Sequence, residues 1–387
     1  MRQTLAVIGD LHYEPKGEAD FARAREQFQA LPLDTVFQLG DHGGYTHCGS
    51  WRSYQEGLGF LSDLGAPFHT LMGNHDLEGE EYASDDENVA AFLRAFGYER
   101  PYRAVDLGDA LGICLSSTSF RSNPFCHHEV RLDATQIAWL EATLAANRHR
   151  PTFVFSHAPI IGSGLRVLQS IHLKCPNAWL NHTDDPGRYI RLLQDNPQVK
   201  LWFSAHDHLS HDYHNSVSCV GECHFVHVGV IGEVSRDGRR LSRLVEFDAD
   251  GFTLATLDHV TGERRDDLTH DYSNGESVQV YEAEGGDESE HFGPPPFPQD
   301  AKRLEAEQSV FAVHRGMLVE FDRELEAPIG VVSDQLGDTP VRVQRGRIYL
   351  TDRRGEPQII APDASGRFRR VYVPNPHRYS RRVLNAG

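Results

Sequence analysis

The sequence predicts an α/β protein with a small all-β module at its C-terminal end. Three observations carry this. Short apolar runs alternate with helically spaced segments between residues 5 and 96. An acidic and then proline-rich stretch interrupts the chain after Tyr272. Beyond it the apolar runs are short, and Gly, Pro and Asp separate them. The first pattern is that of a sheet with helices packed on its faces. The last is that of short strands joined by turns.

The elements follow in order. Residues 5–8 read as a buried strand. Residues 19–31 place Phe21, Ala24, Phe28 and Leu31 on one side, which is helical spacing. Residues 35–39 and 68–72 read as strands, and residues 51–64 and 88–96 as helices. Residues 102–106 and 111–116 read as a hairpin turning through Gly108 and Asp109. Residues 133–146 predict a helix capped by Asp133, with Ile137, Leu140 and Leu144 at i, i+3 and i+7. Strands follow at 152–155 and 199–203, with a short helix at 189–193 between them. Further strands are expected at 225–231, 244–247 and 252–257, the last two joined by an Asp250-Gly251 turn.

Residues 1–272 are therefore expected as one α/β domain and 273–308 as a linker with too little apolar surface to pack. Residues 309–387 are expected as a small β-rich module, with strands at 311–313, 329–332, 341–343, 347–350 and 371–373. That module is mildly basic, with 13 Arg against 9 carboxylates, and is open to a separate role in binding or homo-oligomer formation.

Composition narrows the function. The chain is 39% hydrophobic and 24% charged, which suits a packed core. No apolar stretch approaches the roughly 20 residues that span a bilayer, so no membrane partner is expected. The N-terminal apolar run is too short for a signal peptide and leads directly into a motif described below, so a cytoplasmic location is expected. The net charge of −18 argues against a nucleic-acid polymer as partner, because phosphate backbones demand clustered cations. Of the six cysteines only Cys219 and Cys223 are close, and their spacing is not that of a zinc knuckle.

Chemistry concentrates in five motifs: Gly9-Asp10-Leu11-His12, Gly40-Asp41, Gly73-Asn74-His75-Asp76, His157 and His206-Asp207-His208. Four of them end predicted strands. Asp10 and His12 are i and i+2, as are His206 and His208, and on an extended segment such pairs face one side. Asp41 offers two oxygens and can bridge two cations. A donor set of carboxylate, imidazole and amide suits Mn, Fe or Zn better than Ca. Each motif alone is weak, since a Gly-Asp is usually a turn and most of the 22 histidines must be ordinary. Together, in this order, they are specific. An acidic protein can still bind a small phosphate if two cations offset Asp10 and Asp41.

With these motifs the chain resembles the calcineurin-like metallophosphoesterase superfamily over roughly residues 4–260, most closely the class III cyclic-nucleotide phosphodiesterase branch. The resemblance implies a four-layer α-β-β-α sandwich. It also implies two divalent ions, Mn or Fe first and Zn as a further option. Asp10, His12 and His208 would hold one, Asn74, His157 and His206 the other, with Asp41 bridging. The implied reaction is hydrolysis of a phosphoester in a small soluble phosphate by a metal-bridging hydroxide. His75 would be the general acid and Asp76 would orient it. A phosphodiesterase of cyclic-nucleotide type leads. A phosphomonoesterase of nucleotides or other metabolites, and a non-catalytic scaffold of the same fold, are the alternatives.

The chain departs from the pattern in places. Ala205 precedes His206 where the family usually has Gly. His42-Gly43-Gly44 follows Asp41, and Gly-Asn-His-Asp replaces Gly-Asn-His-Glu, both of which count against the Ser/Thr protein phosphatases. Purple acid phosphatases place a Tyr ligand three residues after the bridging Asp, and that position is Gly44 here. Substrate contacts are expected from His42, Arg121, His128, Arg166 and His182, in or near long connections around the site.

Overall fold

β1 (Gln3–Ile8) sets the architecture. Leu5 and Val7 enter one apolar cluster, Ala6 and Ile8 another, and all four are fully buried. Alternate residues of a strand face opposite sides of a sheet, so β1 has to be covered on both.

The computed structural model describes residues 2–120, 132–159, 186–212, 216–281, 301–306, 309–314, 317–323, 328–333, 336, 340–351, 357–362 and 368–370. After β1 come α1 (Glu18–Gln29), β2 (Thr35–Gln38), α2 (Trp51–Ser62), β3 (Phe68–Thr70), α3 (Asp85–Phe96), β4 (Arg103–Asp106) and β5 (Leu111–Cys114). Next are α4 (Ala134–Ala146), β6 (Thr152–Phe155), α5 (Pro186–Asp195), β7 (Val199–Ser204), β8 (Val217–Val220) and β9 (Cys223–His227). β10 (Leu241–Phe247), β11 (Gly251–Asp258), β12 (Arg264–Asp271) and β13 (Ser277–Gln279) complete this part.

Two mixed sheets result, in the orders β13-β12-β11-β10-β1-β2-β3 and β4-β5-β6-β7-β9-β8. Leu5, Val7 and Phe37 of the first meet Phe153, Phe155, Leu201 and Phe203 of the second in one cluster. Phe37 stacks on Phe155 with ring centroids 3.8 Å apart. The outer face of the first sheet packs on Phe21, Phe28 and Phe60 of α1 and α2. That of the second packs on Leu140 and Leu144 of α4 and Leu192 of α5. The expected four layers are present.

Helix starts follow their caps. Ser50, Ser84 and Asp133 each accept a hydrogen bond from the backbone N–H three residues on, which satisfies an orphan donor of the first turn. α3 begins at Asp85, earlier than the apolar spacing predicts, because Asp85, Asp86 and Glu87 form its acidic first turn behind Ser84.

The chain forms two compact units. The second holds β14 (Lys302–Glu305), β15 (Ser309–His314), β16 (Met317–Asp322), β17 (Pro328–Ser333), β18 (Arg342–Gln344), β19 (Arg347–Thr351), β20 (Pro357–Pro362) and β21 (Phe368–Arg370). These make two four-stranded antiparallel sheets around Phe311, Leu318, Ile348, Leu350 and Ile360. The expected linker contributes β13 to the first unit's sheet and β14 to the second's, each paired along its length. Residues 282–300 and the expected strand at 371–373 lie outside the described residues. Among the described residues, Cys48, Cys114, Cys219 and Cys223 are free thiols, and no helix is long and apolar enough to cross a membrane.

Candidate metal centre

β1, β2 and β3 run parallel in one sheet, and β6 and β7 run parallel in the other. The loops at their carboxyl ends carry Asp10 and His12, Asp41, Asn74 and His75, His157, and His206 and His208 respectively. Carboxyl ends of parallel strands are where α/β sheets commonly place their sites. Two hydrogen bonds tie the loops together, one between the sheets and one within the first. His206 N–H donates to Asp10 Oδ2 at 2.9 Å, and His75 N–H donates to Asp41 Oδ1 at 2.9 Å.

The i, i+2 pairs converge, but not by strand alternation. β1 ends at Ile8 and β7 at Ser204, so neither pair lies on an extended strand. His12, Asp41, His206 and His208 instead have φ of 40°, 56°, 69° and 54°. That left-handed conformation is costly for residues with a Cβ and marks sites where surrounding structure enforces it. Ala205 takes no such φ, so its Cβ is tolerated where glycine is usual. Gly73 is needed for room: a Cβ there would lie 2.2 Å from Asp41 Oδ1.

Two groups of donors form around Asp41. Asp10, His12, Asp41 and His208 bring their donor atoms within 4.8 Å of one another, as do Asp41, His157 and His206. His12 Nε2 is 3.6 Å and His157 Nε2 3.3 Å from Asp41 Oδ2. His208 Nε2 is 3.4 Å from Asp10 Oδ1. Asn74 Oδ1 and His206 Nδ1 each lie 2.9 Å from His157 Nε2. All seven expected ligands therefore meet, with Asp41 shared.

The chemistry of this set fits divalent cations. Asp10 Oδ1, His12 Nε2 and Asp41 Oδ2 are shut off from solvent and have no hydrogen-bond partner. Three such acceptors at one point are costly unless a cation holds them. The far ring nitrogens are anchored: His157 Nδ1 donates to Leu39 O at 2.7 Å and His12 Nδ1 to Gly43 O at 3.2 Å. Anchoring leaves each Nε2 lone pair facing the site. Burial, with His208 beside it, lowers the pKa of His12 to about 4. Burial and His157 hold His206 well below the ordinary imidazole range. Burial opposes charge on Asp10, but His208 and His157 keep it ionised.

His75 stands beside this cluster, its ring centroid 5.2 Å from that of His12. Its expected partner is corrected. The Asp76 carboxylate accepts from the backbone N–H groups of Asp41, His42 and Gly73 and pairs with His42 Nδ1 at 2.8 Å, and none of its contacts is with His75. Glu78 faces His75 instead, with Oε1 3.0 Å from Nδ1. Residues 75–77 form a 3₁₀ turn, in which side chains three apart eclipse and consecutive ones diverge by about 120°. An acid three residues after the histidine was the readable signal. Burial works against charge on His75, but Asp41 first and then neighbours including Glu78 hold its pKa well above the ordinary value.

His42 is corrected as well. It is fully buried between Asp76 and Thr70, with Nε2 2.7 Å from Thr70 Oγ1, so it braces the site from behind and does not line it. Tyr45, absent from the expected contacts, is 54% exposed with its ring 4.5 Å from His12 and 5.3 Å from His75. Arg121, His128, Arg166 and His182 lie outside the described residues.

The profile of the calcineurin-like phosphoesterase family matches residues 3–210, more than half of the chain. A protein of Rhodopseudomonas palustris described as a probable cyclic nucleotide phosphodiesterase is 31% identical over 183 residues, 44% of this chain and 63% of that relative. The match thus spans less than two thirds of the relative's length. Among solved structures, a purple acid phosphatase of yellow lupin seeds aligns with a TM-score of 0.48 at 15% identity, over 72% of this chain and 56% of that one. A Thermus thermophilus protein aligns with a TM-score of 0.40 at 12% identity, over 73% of this chain and all of its own.

Proposed function

We propose that this chain, which belongs to the calcineurin-like phosphoesterase family, hydrolyses phosphoester bonds and acts on small phosphodiesters of the cyclic-nucleotide kind. The observation that carries this is the convergence of seven donor side chains with Asp41 at their centre, three of them presenting buried, unpartnered atoms. The relative described as a probable cyclic nucleotide phosphodiesterase supports the diester reading.

Asp10, His12, Asp41 and His208 would hold one divalent cation, and Asp41, Asn74, His157 and His206 the second. Mn or Fe suits this mixed oxygen and nitrogen set, and Zn is compatible with it. When bound, such ions supply Lewis acidity that polarises a phosphoryl group and acidifies water. The residues around them do the rest. His75 donates a proton to the departing alkoxide oxygen. Glu78, 3.0 Å from Nδ1, fixes the ring's direction. Asp76 and His42 hold the Asp41 loop in its left-handed turn. The exposed ring of Tyr45 offers a flat face beside the centre on which a nucleobase can stack.

The test is turnover of bis-p-nitrophenyl phosphate, p-nitrophenyl phosphate, and cyclic and linear nucleotides, with Mn, Fe or Zn supplied. Hydrolysis of the diester and a cyclic nucleotide well above the monoester supports the reading. Preference for the monoester overturns it in favour of a phosphomonoesterase. Stripping the metal is expected to abolish turnover and resupply to restore it.

A further inference from the structure

We infer that Cys48, His75 and Glu78 form a separate site for a thiophilic divalent cation, zinc by its chemistry, and that filling it silences the neighbouring phosphoesterase centre. The donor atoms of these three side chains lie within 4.8 Å of one another. Cys48 Sγ is 3.4 Å from Glu78 Oε2, and His75 Nδ1 is 3.0 Å from Glu78 Oε1. Zinc sits about 2.0–2.3 Å from its S, N and O donors, so two donors of one tetrahedral ion stand roughly 3.3–3.7 Å apart. The two Glu78 spacings are within a few tenths of an ångström of that range, and no pair of donors, all lying within 4.8 Å, has to close by more than about an ångström.

The donor set also separates this site from the first. The seven ligands that meet at Asp41, itself included, are oxygens and nitrogens only, whereas this cluster adds a sulfur. Thiolate selects zinc over manganese or magnesium, which prefer oxygen. All three residues are partly exposed, while His75 Nδ1 and Glu78 Oε1 are themselves shut off from solvent. Three protein donors leave the fourth tetrahedral position to water. Burial pushes the Cys48 thiol up, so capture must expel its proton to solvent, one per ion bound, and is expected to tighten as pH rises.

The site borrows its nitrogen from His75. An ion on Nδ1 takes the lone pair that a second proton would need and places two positive charges against the ring. It also takes Glu78 from its pairing with that ring. Silencing rests on the proposed role of His75 as acid, whereas binding does not.

The full-length protein, loaded with manganese and freed of excess, is titrated with zinc. Bound zinc and retained manganese are counted by elemental analysis, and hydrolysis of bis-p-nitrophenyl phosphate is followed in parallel. Cobalt is added in separate samples to report thiolate ligation through its sulfur-to-metal charge-transfer absorption. Wild type is expected to take one zinc per chain beyond any that replaces manganese, to show the cobalt band, and to lose turnover at that equivalence. Cys48→Ser is expected to keep its starting turnover, take no zinc beyond such replacement and show no band. Zinc entering only by displacing manganese, a band that survives Cys48→Ser, or a further equivalent that leaves turnover intact would each overturn the inference. If wild type hydrolyses no phosphodiester at all, the proposed reaction fails, and the zinc count and cobalt band still decide the site.

Discussion

The Asp76 carboxylate accepts a hydrogen bond from the backbone N–H of Asp41 at 2.7 Å. The same carboxylate takes the N–H of Gly73 at 2.9 Å and that of His42 at 3.0 Å. One buried anion therefore clamps the loops after β2 and β3, and with them the bridging residue at φ 56°. His42 beside it keeps Asp76 ionised below the usual carboxylate range, against burial. Asp76→Asn keeps the shape but turns an amide NH₂ toward an N–H donor, leaving a buried group unsatisfied at about 1–3 kcal/mol. Metal affinity is expected to fall roughly 10–100-fold, measured by competition with a chromophoric chelator. Turnover at saturating metal should recover to within a few fold. Unchanged affinity with a shifted pH–rate profile would instead return Asp76 to the role of orienting His75.

Glu78→Gln separates the two carboxylates' duties. Gln keeps the size but not the charge opposite His75 Nδ1. Losing it is expected to lower kcat by about tenfold, less than the roughly 10²–10⁴ that a positioned acid itself contributes, because Glu78 only orients His75. Affinity for the two ions around Asp41 should stay as in wild type, because Glu78 is not among their donors. The double variant with Asp76→Asn should then show additive losses, since the two residues act on different quantities. A drop in metal affinity without loss of kcat would refute the assignment.

Gly73→Ala tests the tightness of the centre. The added Cβ would stand 2.2 Å from Asp41 Oδ1 and 2.7 Å from His157 Cε1. Neither neighbour has room to yield, because Asp41 Oδ1 is held by the His75 N–H and His157 by Leu39 O. The variant is expected to lose both ions together, as Asp41 is common to both groups, and to lose on the order of 1–3 kcal/mol of stability from overpacking. Elemental analysis of the purified variant beside a thermal melt checks both. Retention of full metal content would show that the bridging carboxylate has more freedom than the geometry allows.

These variants also mark how far the sequence could be read. The seven donors were visible because each follows a short apolar run, and runs of that kind become strands whose ends share one edge. The reason they converge was not visible, since the left-handed φ of His12, Asp41, His206 and His208 is set by tertiary contacts and not by residue type. Adjacency misled for Asp76 and His42, whose side chains turn away from the neighbours beside which they are written. β12, reading RRDDLTHD, was missed because its outward positions are charged and only Asp267, Leu268 and His270 are buried. Asp267 lies there against the fully buried Arg243 of β10, a pairing that no single-strand pattern reveals.

Stability should depend on pH through buried histidines remote from the metal centre. His259 sits between Gln27 Oε1 at 2.6 Å and Ser242 Oγ at 2.9 Å, and burial lowers its pKa to about 3. Burial, with His270 beside it, lowers His224 to about 4. In the unfolded chain each ring titrates near 6.5. Below that pH the unfolded state binds more protons than the folded one, so stability is complete above about pH 6.5 and declines as pH falls. The decline ends only when the folded rings themselves protonate, near pH 4 and pH 3. Each ring contributes a slope of about 1.4 kcal/mol per pH unit across its window. Urea unfolding at several pH values between about 7 and about 5 measures the sum. His259→Gln keeps hydrogen-bonding capacity but cannot take up the proton, so its stability should fall with pH by about 1.4 kcal/mol per unit less steeply than wild type. Parallel slopes for the two proteins would mean that His259 is protonated in the folded state and that its burial is not the source of acid sensitivity.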